Sequence, residues 1–524
     1  MKKLLSMILV LCLLLAFAVA EKVPVAHETA DMTADELYEA GVAAVGAGEY
    51  EKAKELFELG IEKGGAGALN GLGALYHNGF GVEQSYEKAY DYYLEAADRG
   101  FAKAQYNLGV MYMYGDYVRQ SYETAFAYFQ LAAEQGFPSA QAYLGDMYLN
   151  GWAVEQSNEK AAEYYRLAAD QGDSDSQFVL GWMYYRGSGV EKSDKKAAEY
   201  FQQAADQGNA SAQFYMGLMY DTGRGLEQSY EKAMEYYLLS AEQGNIDAQN
   251  NLGLMYYWGE GIEQSYEKAA EYFLPAAEQG HMKAQYYAGL LYEYGNGVEQ
   301  SYEKAAEYFR LAADQGFAKA QNELGVLYDN GLGVGQSYEK AAEYFRLAAD
   351  QGYMVAQFNL GLVYAYGLGV EQSYEKAAEY YRLAADQGNP PAMIELGMLY
   401  FEGNGVEQSN EKAMELFQKA ADLGEPLGWN NIGGLYEDGA GVEQSYEKAM
   451  EYYQLALEQG CDYALISIGI LYENGWGVEQ STEKALEYYL EANGRDVPQA
   501  SDSLYGLIEA GKITEDYQVI PTGD

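Results

Sequence analysis

Cysteine and histidine are scarce in this 524-residue chain, which contains 2 cysteines and 3 histidines. The cysteines are Cys12 and Cys461, and Cys12 lies in an N-terminal segment that we predict to be removed. Cys461 would then be a lone thiol, which excludes an intramolecular disulfide framework. His27, His77 and His281 are too scattered to suggest a metal cluster or a catalytic triad. The sequence therefore predicts no metal site and no cofactor.

Positive charge is scarce as well, because 33 Lys and Arg stand against 80 Asp and Glu, for a formal net charge of −47. A surface this negative repels phosphate backbones and anionic lipids, so we expect no nucleic-acid partner and no role at a membrane surface. The acidic residues are spread over the whole chain and form no D-x-[DN]-x-[DN]-G calcium loop. Solubility is the simplest reading of the charge, and a basic partner or weak cation binding is the alternative.

Long apolar runs are missing everywhere except in residues 1–20, MKKLLSMILVLCLLLAFAVA. Two lysines, an apolar run and a final small-residue box are typical of an export signal. The alternative, a membrane anchor, fits less well because the run is short for a membrane span. We therefore predict a signal peptide over 1–20, a linker over 21–30, and an exported (secreted or periplasmic) protein without stable membrane insertion after cleavage.

Repetition with a period of 36 residues dominates the rest of the chain. The segment SYEKAAEYFRLAADQG occurs twice, as Ser301–Gly316 and Ser337–Gly352, and looser copies recur at the same spacing. Twelve repeats run over 65–496, and we number them 1 to 12 and their residues as positions 1 to 36, so that repeat 1 is 65–100. A fixed period of this length is typical of an array in which each unit packs on its neighbours.

Each repeat predicts two helices, called helix A and helix B here, joined by a loop. In repeat 2, apolar residues at helical spacing predict helix A from about Lys103 to Tyr114, and Gly109 leaves room for the next helix. The loop, G-x-G-V in most repeats, has glycines suited to positive φ. Helix B begins at a serine such as Ser301, an N-cap residue, and Gly316 ends it.

The two ends of the array differ from the repeats. Residues 31–64 predict two helices about a turn, opened by a capping box at Thr33 and Glu36, in a pattern that resembles a tetratricopeptide unit. We expect this segment to be an N-terminal capping repeat. Residues 497–524 predict a C-terminal cap helix followed by a tail.

The repeat pattern A-x-x-x-L-G-x-x-Y-x-x-G-x-G-V-x-x-S-x-x-K-A-x-x-Y-x-x-A-A-x-Q-G resembles the Sel-one-like repeat, a relative of the tetratricopeptide repeat. The resemblance implies an all-α fold, a right-handed α-solenoid of two-helix repeats, that serves as an adaptor or scaffold for protein complexes. It provides no catalytic residues. Some exported bacterial members are stapled by a disulfide in each repeat, and this chain lacks those cysteines.

One motif, S-x-x-K, is shared with penicillin-recognising enzymes and occurs in most repeats, for example from Ser85 to Lys88. Those enzymes also need S-D-N and K-T-G elements, which the sequence lacks. A helix N-cap followed by a surface lysine explains the repetition better. We therefore predict that the chain is not an enzyme.

Residues that differ between repeats are the candidates for binding, since the shared residues form the common core. Helix-A positions 3, 7, 10 and 14 share one face, turned away from the core, and in a right-handed solenoid helix A lines the concave side. Asparagine amides there suit a peptide backbone, and exposed aromatic rings supply contact area. The candidate peptide-binding residues are Asn107, Tyr114, Asn251, Trp258, Tyr287, Tyr294, Asn359 and Tyr366.

The sequence thus favours a non-catalytic exported scaffold that binds a protein or peptide through the concave helix-A surface. A structural spacer without a specific ligand is one alternative, with the variable residues drifting on a solvated face. A hydrolase of cell-wall turnover is the other alternative. The sequence identifies neither the partner nor the oligomeric state.

Overall fold

Twenty-seven α-helices and their connections make up residue 29 and residues 31–520, the part of the chain that this computed structural model describes. No β-strand occurs in those residues, apart from one isolated bridge between Ile513 and Val519. The predicted all-α solenoid of two-helix repeats is confirmed. The predicted signal peptide and almost all of the predicted linker lie outside the described residues. Within the described ranges, no helix has the length and apolar character needed to cross a membrane.

The N-terminal pair consists of α1 (Ala34–Gly46) and α2 (Tyr50–Glu62), and α27 (Ala500–Glu509) follows the last repeat. The A helices are α3 (Ala66–Asn78), α5 (Ala102–Tyr114), α7 (Pro138–Asn150), α9 (Ser174–Arg186), α11 (Ala210–Thr222), α13 (Ile246–Trp258), α15 (Met282–Tyr294), α17 (Ala318–Asn330), α19 (Met354–Tyr366), α21 (Pro390–Glu402), α23 (Pro426–Asp438) and α25 (Tyr463–Asn474). The B helices are α4 (Tyr86–Asp98), α6 (Tyr122–Glu134), α8 (Asn158–Ala169), α10 (Asp194–Asp206), α12 (Tyr230–Glu242), α14 (Tyr266–Glu278), α16 (Tyr302–Asp314), α18 (Tyr338–Asp350), α20 (Tyr374–Asp386), α22 (Asn410–Asp422), α24 (Tyr446–Glu458) and α26 (Thr482–Gly494).

The described residues divide into two units, one reaching residue 252 together with 260–262, and one formed by 253–259 and 263–520. Within each unit, consecutive helices pack on one another along the chain. This is the neighbour-only packing that the period predicts.

Helix B begins at its serine in all twelve repeats, as predicted. In repeat 7, Oγ of Ser301 accepts a hydrogen bond from the backbone N–H of Lys304 at 3.3 Å. The lysine ammonium lies 4.7 Å from the ring centroid of Tyr292, which stacks in turn on Tyr308 at 5.7 Å. The S-x-x-K motif therefore caps a helix and makes a cation–π contact.

The glycine at position 9 lets the large aromatic ring of helix B lie against helix A. A Cβ added to Gly109 would lie 2.5 Å from Cε1 of Phe129, and the same contact recurs at Gly433, whose added Cβ would lie 2.5 Å from Cε1 of Tyr453. The ring of Phe129 is fully buried. The prediction that this glycine serves close packing is confirmed.

Buried glutamines tie neighbouring repeats together. The side chain of Gln321, at position 5 of repeat 8, donates to the carbonyl of Ala313 in repeat 7 at 3.2 Å and accepts from Gln351 at 2.7 Å. Gln357 repeats the arrangement one unit further on, donating to Ala349 at 3.4 Å. Both polar ends of a buried amide are thus paired, as burial requires.

The loop glycines adopt the predicted positive φ, 69° at both Gly295 and Gly297. The two repeats that lack the second glycine keep the same backbone, with φ of 67° at Tyr117 and 61° at Ala153. A side chain in this region is strained. The loop conformation is therefore set by the packing of the repeat rather than by glycine alone.

Candidate peptide-binding face

Four aromatic side chains at position 14, the last residue of helix A, stand out in solvent. Tyr114 is 62% exposed, Trp258 58%, Tyr294 61% and Tyr366 66%. Tyr114 belongs to the first unit, and the other three belong to the second. Because position 14 ends helix A, these rings lie beside the loop and do not enter the core between the helices. We use the term helix-A face for the surface formed by positions 7, 10, 13 and 14 within one unit.

The three candidate asparagines at position 7 are half-buried and take part in hydrogen bonds inside the fold. Asn107 donates to the side-chain oxygen of Asn70 at 2.8 Å, and Asn359 donates to that of Asn322 at 3.0 Å. The acceptor in each case is position 6 of the preceding repeat. These two amides therefore bridge consecutive A helices with one of their N–H groups.

The third asparagine, Asn251, accepts from Asn250 at 3.2 Å and is hydrogen-bonded to the hydroxyl of Tyr237. The last candidate, Tyr287, is half-buried and stacks on Phe273, with ring centroids 5.1 Å apart and planes at 7°. Packing between neighbouring helices accounts for much of the surface of both residues. The four aromatic residues at position 14 are thus the most accessible of the eight candidates.

Sequence reasoning missed a second feature of the helix-A face, a helix-B tyrosine at position 29 bonded to a helix-A acid. The Tyr453 hydroxyl donates to Glu437 at 2.6 Å, and that of Tyr489 donates to Glu473 at 2.9 Å. Both acids are at position 13. Tyr237 donates to Asp221 of the same repeat at 3.2 Å. Position-by-position comparison of the repeats signals this pairing only weakly, because Glu293 and Asp329 occupy position 13 in repeats that have phenylalanine at position 29.

Burial raises the pKa of Glu437, and the hydrogen bond from Tyr453 acts in the opposite direction. Burial likewise raises the pKa of Asp221, and the hydrogen bond from Tyr237 acts in the opposite direction. A hydrogen bond to the charged form favours that form, while burial disfavours it. The tyrosine thus partly offsets the cost of keeping an acid half-buried in this face.

Repeat 7 has the acid without the tyrosine. Glu293 lies at position 13 of α15, and position 29 of the same repeat is Phe309, which has no hydroxyl to donate. Oε2 of Glu293 is buried and has no hydrogen-bond partner among the residues of the described part of the chain. Burial, and secondly the charge of Glu323 in α17, raise the pKa of Glu293 to about 7.

A cavity of about 150 Å³ opens on the helix-A face between α21 and α23. Its lining includes Met398, Phe401 and Asn430 from the A helices and the paired Tyr453 from α24. The cavity combines apolar walls with a few polar groups, the usual composition of a site for a side chain or small ligand. Across residue 29 and residues 31–520, no group of three or more His, Cys, Asp and Glu side chains is placed to hold a metal ion.

The family model described as Sel1 repeat matches the chain in thirteen segments. They are residues 32–65, 66–101, 102–137, 138–173, 174–209, 210–245, 246–281, 283–317, 318–353, 355–389, 390–425, 430–461 and 462–493. The first match falls on the pair α1 and α2, before repeat 1. No curated protein matches the chain.

Two solved structures are similar at 31% sequence identity. A protective antigen of uropathogenic Escherichia coli strains, which displays an SLR fold, aligns over 90% of this chain and 99% of its own, with a TM-score of 0.75. A Sel1 repeat protein from Oxalobacter formigenes aligns over 59% of this chain and 89% of its own, with a TM-score of 0.47. Because the family model matches nearly all of 32–493, the chain belongs to the Sel1 repeat family.

Proposed function

We propose that this chain is a non-catalytic scaffold that binds a protein or peptide segment on the helix-A face of its second unit. Sel1 repeat proteins generally mediate protein interactions. The observation that carries the proposal is the exposure of Trp258, Tyr294 and Tyr366, which are 58%, 61% and 66% exposed at the same position of their repeats. Exposed aromatic rings in register are uncommon on a surface that binds nothing.

The chemistry of these side chains suits recognition of a peptide. Trp and Tyr supply large contact areas at a low cost in side-chain entropy, and they are enriched among the residues that dominate binding energy. The A helices that carry them are fixed by buried alanines and leucines such as Ala284, Leu291 and Leu360. The surface is therefore prebuilt, and little ordering of the scaffold is needed on binding.

A comparison of two exposed rows of side chains in the second unit tests this proposal. The full chain would be used to select binders from a random peptide library, and each selected peptide would be titrated against W258A, Y294A and Y366A. The matched control set is L311A, L347A and L383A, which removes exposed leucines from the B helices that are 43%, 45% and 43% exposed.

We expect the aromatic variants to weaken binding about tenfold or more, since truncating a hot-spot residue costs about 2 kcal/mol. The leucine variants should bind like the parent. Loss of binding in the leucine variants alone would place recognition on helix B and refute the proposal. A folded chain that selects no peptide would favour the spacer without a ligand.

We propose further that the chain acts outside the cytoplasm. Support comes from residues 1–20, whose two lysines, apolar run and small-residue box are typical of an export signal. Fractionation of the host, followed by N-terminal sequencing of the chain, tests the proposal. Recovery outside the cytoplasm with Glu21 as the first residue is expected, and a cytoplasmic chain that retains residues 1–20 would contradict it.

A further inference from the structure

Tyr381 in α20 is a helix-B tyrosine that lacks the position-13 acid found beside Tyr237, Tyr453 and Tyr489. It occupies position 29 of repeat 9, as Tyr453 does in repeat 11, but position 13 of repeat 9 is Ala365 where repeat 11 has Glu437. Tyr381 is only 1% exposed, and its hydroxyl finds no hydrogen-bond partner in the described ranges of the chain. A buried hydroxyl in this state gains free energy from any ligand that pairs with it.

The equivalent tyrosine shows where this hydroxyl lies. The hydroxyl of Tyr453 contacts Glu437 of its own repeat and Ser467, at position 7 of the following repeat, and the residue lines the 150 Å³ cavity of the helix-A face. In repeat 10, position 7 is Glu395. Burial, and then the nearby charge of Glu395, raise the pKa of Tyr381, yet no hydrogen bond joins the two side chains. The Tyr381 hydroxyl is therefore directed at the helix-A face, beside a carboxylate.

The surroundings of Glu395 are negative. Burial, and then the charge of Glu402, raise the pKa of the Glu395 carboxyl. Glu402 accepts a hydrogen bond from Asn404 at 2.7 Å. Glu395 forms no ion pair with any lysine or arginine between residues 31 and 520. Two acids without a cation between them favour a positively charged ligand and repel an anion.

Aromatic rings complete the surroundings. The ring of Phe358 in α19 lies 5.9 Å from that of Tyr381, centroid to centroid. Tyr366 is the last residue of α19, and 66% of its surface is exposed. Tyr366 is a further cause of the raised pKa of Tyr381, after burial and Glu395. A flat ring beside a carboxylate suits the aliphatic stem and the charged end of a long basic side chain.

We propose that Tyr381, Glu395, Glu402 and Tyr366 form a subsite for a lysine or arginine side chain of the bound segment, an inference that rests on the proposed function. The N–H groups of the cation donate to the Glu395 carboxylate and to the oxygen of Tyr381, and the stem of the side chain lies against Tyr366. Charge-assisted hydrogen bonds of this kind are stronger than neutral ones. The partner is thus a segment with a basic residue, in keeping with the acidity of the whole chain.

The test uses peptides selected on the full chain from a random library, each paired with a copy in which its basic residue is replaced by norleucine. Affinities are measured for the parent, E395Q, Y381F and the control E371Q. E395Q removes a charge at nearly constant shape. Y381F creates the phenylalanine that other repeats carry at position 29, so both variants should fold. Glu371 is an exposed acid of the preceding loop, and E371Q controls for net charge.

We expect selected peptides to contain lysine or arginine. We expect E395Q and the norleucine copies to bind about tenfold more weakly, Y381F about threefold more weakly, and E371Q unchanged. Peptides that bind through Tyr294 and Trp258 but are indifferent to E395Q and to norleucine would refute the subsite and leave the proposed function standing. A folded parent that selects no peptide would overturn both.

Discussion

Repeats 7 and 11 carry the same acid at position 13 and differ at position 29, which is Phe309 in repeat 7 and Tyr453 in repeat 11. In repeat 11, Tyr453 donates a hydrogen bond to Glu437 at 2.6 Å. In repeat 7, Phe309 leaves Glu293 with a buried oxygen that has no partner in the part of the chain that the structure describes. The backbones are alike, so the repeat does not need the pair in order to fold. The helix-A face can therefore hold unpaired polar groups, and these are the places where a ligand gains most.

The largest effect should come from placing a side chain at position 9, where it would crowd the aromatic ring at position 29. An added Cβ in G433A would lie 2.5 Å from Cε1 of Tyr453. Overpacking at this place should destabilise repeat 11 by about 3 kcal/mol, read as faster amide hydrogen exchange in α23 and α24. The neighbouring G434A is the control, because its Cβ would meet only the Tyr453 hydroxyl, at 3.8 Å. G434A should be neutral or stabilising by about 0.5–1 kcal/mol, and equal losses in both variants would contradict the account.

Removing the hydroxyl of repeat 11 should have the next largest effect. Y453F leaves the half-buried Glu437 without its donor, at a cost of about 2 kcal/mol in the free energy of unfolding of this region. The matched control is Y381F, which removes a buried hydroxyl with no partner among the described residues and should leave stability unchanged or raise it. Urea unfolding of the full chain and hydrogen exchange in α23 would measure the difference. Equal effects of the two variants would show that the Tyr453–Glu437 bond contributes nothing.

Supplying the missing hydroxyl to repeat 7 should make it resemble repeat 11. F309Y places a donor beside Glu293, which we expect to stabilise the repeat by about 1 kcal/mol. It should also lower the pKa of Glu293 from about 7, as followed by carboxyl NMR. F417Y is the control, because position 13 of its repeat is the apolar Phe401, and its new hydroxyl should destabilise. Stabilisation by both variants would mean that added volume, not the hydrogen bond, is responsible.

The smallest effect is the dependence of stability on pH that Glu293 causes. It should be small because solvent still reaches part of the Glu293 side chain and screens its charge. Its pKa is raised from 4.5 to about 7 in the fold, so the unfolded chain loses this proton first. Protonated Glu293 therefore contributes its full share to the free energy of unfolding below pH 4.5, and this contribution is lost as the pH rises to about 7. Compared with E293Q, the parent should therefore lose a few degrees of melting temperature over this interval. Parallel pH profiles of the two proteins would contradict the raised pKa.

The period and its glycines and serines carried enough information to predict the fold, because they act locally. Helix A of repeat 2 was predicted from about Lys103 to Tyr114 and runs over Ala102–Tyr114, and Ser301 caps its helix as expected. Each of these features depends on residues within a few positions of one another. Local chemistry of that kind can be read from one repeat.

The arrangement of the candidate site depends on contacts between helices, which one helix cannot reveal. Asn107 lies on the variable side of helix A, yet its partner is Asn70, 37 residues earlier in the preceding repeat. Glu437, which accepts the hydrogen bond from Tyr453, lies 16 residues earlier in the chain, on the other side of the loop. Position 14 could be predicted because a side chain at the end of helix A has few neighbours, and Tyr366 is 66% exposed there.

The buried glutamines have a consequence for how such a chain can change in length. Removing residues 317–352 by exchange between the two identical segments would bring Gln357 to the carbonyl of Ala313, which now accepts from Gln321. The glutamine bond across the junction would be the same as before. The bond from Asn359 to Asn322 would be lost with the deleted repeat. Whole repeats can thus be gained or lost in evolution without compensating mutations, and the number of sites along the face becomes a variable open to selection.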